Sequence, residues 1–275
     1  MTKSVLITGC STGIGYACAH ALVKNGFNVI ASCRKQEDVK RLKEEGLNCI
    51  QLDLADTDSI LSAVKKVAKQ TDGKLFALFN NGAYGQPGAL EDLPTQALRT
   101  QFETNVFGWH TLTQAVIPMM MQNGSGRIVQ NSSVLGFVAL KYRGAYNASK
   151  FAIEGYTDTL RLELEDTPIQ VSLIEPGPIE SRFRANALTA FFKAINLHDS
   201  RHEASYLKQK QRLESETSGS KYTLPSEAIV EPLLHALTAP KAKIRYRVTK
   251  PTQYMAICKR VLSSRMLDKM LSEGS

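Results

Sequence analysis

Tyr146 and Lys150 stand four residues apart, so a helix would turn both side chains to one face. A free phenol has a pKa near ~10 and is a poor base at neutral pH. An ammonium beside it favours the phenolate and makes the pair an acid–base device. Ser133, thirteen residues earlier at the end of an apolar run, offers a hydroxyl that can hydrogen-bond a substrate oxygen. Alone, a Tyr/Lys pair at this spacing is equally an ordinary surface pair, and the serine a turn residue. A glycine loop far upstream decides between the two.

That loop is Thr8-Gly9-Cys10-Ser11-Thr12-Gly13-Ile14-Gly15, between an apolar run and a helical pattern. Glycines let the backbone turn sharply and approach a pyrophosphate, and a helix N-terminus adds free N–H donors. A bare strand-to-helix turn needs one glycine, not three. The spacing G-x-x-x-G-x-G therefore points to a dinucleotide, with Gly15 letting the helix sit close on the sheet. The second apolar run ends in Ser32-Cys33-Arg34-Lys35, with no acid before Glu37. An acid there holds a ribose hydroxyl, whereas an arginine grips a 2′-phosphate with its planar fork. Arg34, helped by Lys35 and Ser11, thus favours NADP(H) over NAD(H). Asp53, at the end of the third run, is a suitable acceptor for the adenine amine.

Strand-like runs at 4–8, 27–33, 48–53, 75–80, 126–132, 169–175 and 243–248 must position these groups. Several are nearly continuous in apolar residues, as strands buried on both faces require. Helical patterns fall between them, the first with Ile14, Ala17, Cys18, Ala21 and Leu22 on one face and a stop at Asn25-Gly26. Others are expected near 36–45, 57–70, 95–122, 144–166 and 225–238. This alternation predicts an α/β, doubly wound Rossmann-type fold: a mostly parallel seven-stranded sheet with helices on both faces. Residues 1–275 are read as one domain. It carries a helical, substrate-covering lid at 182–222, interrupted by Ser218-Gly219-Ser220, and an amphipathic tail at 250–275.

Composition excludes several other classes. No apolar stretch is long enough to span a membrane, and the first strand begins too early to leave room for a signal peptide. Five cysteines without C-x-x-C spacing read as reduced thiols of a cytoplasmic protein. The net charge of +8 is dispersed and lacks interleaved aromatics, so it suits anionic ligands in general rather than nucleic acid. His198 and His202 are i,i+4 beside Glu203 but lack a third ligand, so no metal is expected. The tail sets Tyr254, Ile257, Val261, Leu262, Met266 and Met270 against Lys259, Arg260, Arg265 and Lys269. Such a helix roofs its own domain, with peripheral membrane contact as the lesser alternative.

The sequence Tyr146-Asn147-Ala148-Ser149-Lys150, with the glycine loop, resembles the short-chain dehydrogenase/reductase family from about residue 3 to 181. The subgroup it most looks like is the retinol and 17β-hydroxysteroid dehydrogenases. Further landmarks come in order: Asp53-Leu54, Asn80-Asn81-Gly82-Ala83, Asn105, Ser132-Ser133 and Pro176-Gly177. The family more usually has Asn-Asn-Ala-Gly at the second landmark. By resemblance, Tyr146 is the general acid in carbonyl reduction and the base in alcohol oxidation. Ser133 orients the oxygen, Lys150 also holds the nicotinamide ribose, and Asn105 positions a water leading out from Lys150. Leu54, Asn81, Gly82, Pro176 and Gly177 are implied to line the cofactor, with Ile179 and Ser181 at the carboxamide.

The expected activity is NADP(H)-dependent interconversion of an alcohol and a carbonyl. Phe183, Leu188, Phe191, Phe192, Ile195 and Leu197 in the lid imply an apolar substrate: a hydrophobic aldehyde, retinoid or keto-steroid. The resemblance also implies a homodimer or homotetramer through the helices at 95–122 and 144–166. The competing reading, a non-catalytic NADP(H) sensor on the same fold, is disfavoured because Ser133, Tyr146, Lys150 and Asn105 are all retained. An epimerase of the longer-chain relatives is disfavoured by length.

Overall fold

The computed structural model describes residues 2–198, 200–214 and 221–273. All seven expected strands form: β1 Ser4–Ile7, β2 Asn28–Cys33, β3 Cys49–Gln51, β4 Ala77–Asn80, β5 Gly126–Asn131, β6 Ile169–Pro176 and β7 Arg245–Val248. They make one sheet in the order β3-β2-β1-β4-β5-β6-β7, and every neighbouring pair is parallel. A parallel sheet needs cover on both faces, and two apolar layers supply it. One gathers Val5, Ile7, Cys18, Leu22, Phe79 and Leu233; the other gathers Leu6, Leu78, Trp109, Leu112, Ile128 and Ile153.

The first layer is built by helices α1 Gly13–Lys24 and α2 Gln36–Glu44 and, late in the chain, by the helix Val230–Thr238. On α1 the fully buried positions are Gly15, Cys18, Ala19 and Leu22, one stripe at helical spacing. It stops at Asn25, followed by Gly26 at φ +81°, as the sequence requires. The second layer comes from α3 Thr57–Gln70 and the two long hairpin-less crossovers that follow β4 and β5. The helix expected at 95–122 runs without a gap over 95–123, in three stretches. These are α4 Thr95–Phe102, a π-turn over Glu103–Phe107, and α5 Gly108–Asn123. Just after the π-turn the helix presses on the β3 loop: a Cβ on Gly108 would lie 1.9 Å from the Leu54 carbonyl oxygen. Such π-turns inside helices concentrate at functional sites, and this one carries Asn105.

The chain continues through α6 Gly144–Glu163, α7 Phe183–Ala194, α8 Glu203–Glu214, α9 Val230–Thr238, α10 Lys250–Val261 and α11 Ser264–Glu273. Helices α7 and α8 occupy the segment expected to be a lid; its expected Ser-Gly-Ser interruption lies outside the described residues. The lid is pinned by Tyr206, whose hydroxyl accepts from Ala89 N (3.0 Å) and donates to Asp92, and by Arg201 on Glu91. The tail departs from expectation. It is two helices, and Tyr254, Ile257, Val261 and Met266 face solvent. Leu262 and Met270 of the expected stripe do pack on the domain, beside Leu267 and Cys258 against Val138 and the loop after β5, a register that periodicity alone does not fix. Among the described residues no helix is long and apolar enough to cross a membrane.

Candidate active site

Strand order reverses between β1 and β4, so the loops leaving these two strands diverge and leave a crevice at their C-terminal ends. Thr8 and Asn81 stitch its floor. The Thr8 hydroxyl accepts from Asn81 N and Gly82 N, both 2.9 Å, and Asn81 Nδ2 donates to the Thr8 and Gly9 carbonyls. Gly9 (φ +71°) and Gly13 (φ +63°) occupy conformations that side chains disfavour. A Cβ on Gly9 would meet Gly82 Cα at 2.6 Å, and one on Gly15 would meet the Gly9 carbonyl oxygen at 2.3 Å. Gly15 is therefore a packing residue that lets α1 start against the loop.

A cavity of about 390 Å3 opens over this floor. Gly9, Ser11, Gly13, Ile14, Asn81, Gly82, Pro176, Gly177, Ile179 and Ser181 line one end, and Ser133, Tyr146 and Lys150 lie beyond them. The start of α1 has no side-chain cap, whereas Asp56 caps α3 by accepting from Asp58 N and Ser59 N. Uncapped N–H donors facing a glycine cradle fit a dinucleotide pyrophosphate. Arg34, Lys35, Asp53 and Leu54 lie outside this cavity. Arg34 is exposed and Lys35 is paired with Glu37 at 3.0 Å. Asp53 Oδ1 accepts from Ala55 N, and Leu54 packs under Gly82. Sequence reasoning missed Arg41, which donates to the Ser11 carbonyl oxygen at 2.6 Å while pairing with Asp38 and Glu45.

The reactive cluster stands on α6 and the end of β5. Tyr146 is buried, and desolvation pushes its pKa up to about 12 against the lowering effects of the Ser133 hydroxyl and the Arg143 charge. The expected lowering by Lys150 is not what offsets it, because burial pushes Lys150 itself down to about 7. Lys150 Nζ donates to the Asn131 carbonyl oxygen at 2.7 Å and sits 4.4 Å from the Trp109 ring centre. Neither Asn131 nor Trp109 was singled out in the sequence, and only the position of Asn131 just before Ser132-Ser133 hinted at a role. Ser133 accepts from Leu135 N and neighbours Tyr146, whereas Ser132 lies beside Gly136 and Glu154. Asn105 stays off the cavity: Nδ2 donates to the Tyr84 carbonyl and Ser149, and Oδ1 accepts from Tyr84 N.

Residues 3–190 match the short chain dehydrogenase family. The chain belongs to that family. The uncharacterized oxidoreductase YbbO of Escherichia coli K12 is 40% identical over 271 residues, 98% of this chain and 94% of that protein. Human 17-beta-hydroxysteroid dehydrogenase type 1 is 33% identical over 261 residues, 90% of this chain and 77% of its own. A solved short-chain dehydrogenase from Streptomyces avermitilis superposes with TM-score 0.79 at 26% identity, covering 100% of this chain and 98% of its own. Solved structures of the same fold below 25% identity include complexes with NADP and with NAD. This short-chain oxidoreductase is thus a nucleotide-binding Rossmann protein.

The lid corrects one expectation about its own residues. Of the six apolar side chains expected to face substrate, only Phe183 lines the cavity, its ring 5.3 Å from that of Tyr146. Phe191 and Ile195 turn inward onto Ala89 and Tyr206, and Phe192 is exposed. His198 pairs with Glu203 and His202 with Glu91, and no metal-holding cluster exists among the described residues.

Proposed function

We propose that this oxidoreductase uses NADP(H) to interconvert an alcohol and a carbonyl on a substrate with an apolar body. The observation that carries the reading is that Ser133, Tyr146 and Lys150 open into the same cavity as the glycine cradle. A bound nicotinamide supplies or accepts the hydride. In reduction, Tyr146, kept protonated by burial, gives its phenolic proton to the substrate oxygen, which the Ser133 hydroxyl holds in place. Lys150, anchored on Asn131 and Trp109, would hold the nicotinamide ribose hydroxyls and, while protonated, steady the resulting phenolate. Asn105, whose side chain holds the Tyr84 backbone, would by resemblance position a water leading out from Lys150.

Arg34 at the end of β2 and Arg41 on Ser11 support a 2′-phosphate over a free ribose hydroxyl. Val134, Leu135, Leu140, Phe183, Ala187 and Leu213 support an apolar substrate body such as a hydrophobic aldehyde, retinoid or keto-steroid. Exposed Phe107 and Phe151, on the π-turn and α6, support pairing of these elements between copies as a homodimer or homotetramer.

The test is a screen of these carbonyls with NADPH and NADH, read at the nicotinamide absorbance. Turnover with NADPH, at least about tenfold better than with NADH in kcat/KM, is expected. Silence across aldehydes and ketones while nucleotide still binds would overturn the reading.

A further inference from the structure

The lid end of the cavity is cationic. Arg143 at the start of α6, Arg182 and Arg184 around the start of α7, and Arg212 on α8 all line it. No aspartate or glutamate does so among the described residues. Arg143 and Arg212 come from different helices, yet both donate to one neutral atom, Gln209 Oε1, at 3.3 and 3.4 Å. No carboxylate pairs with either among the described residues. Burial and the mutual repulsion of Arg143, Arg184 and Arg212 push the Arg143 guanidinium down to about 10, so the charges are held together at a cost. Arg143 is close enough to Tyr146 to act on its phenol. Two forks converging on a single amide oxygen leave donors to spare for an anion that can use several at once.

We propose that the substrate is amphiphilic: its carbonyl meets Tyr146, its apolar body meets Leu140 and Leu213, and it carries a carboxylate bound by Arg143 and Arg212. This deepens the alcohol/carbonyl reading above and rests on it for the position of the reacting carbon. It does not need turnover to be tested.

The experiment titrates the protein–NADPH complex with octanoate and, separately, with octanamide, by calorimetry. Octanoate should bind about tenfold or more tighter, as a charge-assisted contact with two guanidinium groups implies. Arg212→Gln should remove that preference while leaving the NADPH dissociation constant within about twofold. Arg212→Lys, which keeps charge without the fork, should restore part of it. Equal binding of acid and amide overturns the proposal. So does an Arg212→Gln variant that keeps the preference, or one that loses NADPH affinity instead, since the cluster would then serve the nucleotide phosphates. A parallel kinetic arm compares an aldehyde-ended medium-chain fatty acid with its methyl ester. Carboxylate-selective binding with no reduction of either compound would sink the carbonyl chemistry and leave the anion site standing.

Discussion

The two ends of one cavity present positive potential by opposite means. At the glycine end the protein uses backbone: two positive-φ glycines, a third packed against them, and an uncapped helix start. At the lid end it uses long side chains, with Arg143 and Arg212 meeting over Gln209 from separate helices. Backbone donors are fixed by the turn itself, so they are rigid, need no counter-charge and tolerate no added atom. Guanidinium groups are held by packing from several elements and must stay close despite repulsion. The first arrangement suits an invariant phosphate, and the second suits a ligand that comes and goes.

The sharpest way to break the glycine end is to add a side chain. Gly9→Val puts a Cβ 2.6 Å from Gly82 Cα and forces a branched residue to φ +71°. Nucleotide affinity is expected to fall on the order of 100-fold or more, measured by fluorescence titration with far-UV circular dichroism as the check on folding. Next in size is Arg34→Ala. It should weaken NADPH by about tenfold and leave NADH nearly unchanged, as loss of one charge-assisted phosphate contact implies. If Arg34→Ala is silent and Arg41→Ala is not, the phosphate belongs to Arg41.

A smaller effect comes from pH. Tyr146, raised to about 12, keeps its proton throughout the usable range, so it imposes no fall on reduction. Lys150, lowered to about 7, loses its charge as pH rises through that value. Reduction should hold steady below pH 7 and decline a few-fold, roughly, above it, while alcohol oxidation climbs toward pH 10. Reduction that rises with pH would contradict this assignment. The smallest expected change is in Leu267→Ala, which loosens the tail beneath the loop carrying Ser133. It should cost a few degrees of Tm, roughly, and about twofold in turnover.

The glycine loop was legible in the sequence because its signal is local, whereas Asn81, Pro176 and Ser181 at the same end were reached only through the family resemblance. Three glycines within seven residues, a preceding apolar run and a following helical stripe are all visible without knowing what packs on what. The seven strands were legible for the same reason, being short runs buried on both faces. The lid end was not. Its apolar residues sit at helical spacing, but spacing does not say that Phe191 and Ile195 turn to Ala89 and Tyr206 rather than to substrate. Arg143 and Arg212 lie far apart in the chain and meet only when α8 folds over α6. The close approach of Gly108 to the Leu54 carbonyl needed the β3 loop, and the tail needed its partner loop. In each case the missing information was a neighbour, not a propensity.

The central claim is that Tyr146 moves the proton in a cavity whose nucleotide end is built separately. Tyr146→Phe removes one hydroxyl and leaves the ring packed on Phe183. With NADPH and a carbonyl that the parent enzyme reduces, kcat should fall by roughly 10²- to 10⁴-fold while the NADPH dissociation constant stays within about twofold. Retention of kcat within about threefold of the parent would remove Tyr146 from the chemistry and contradict the account.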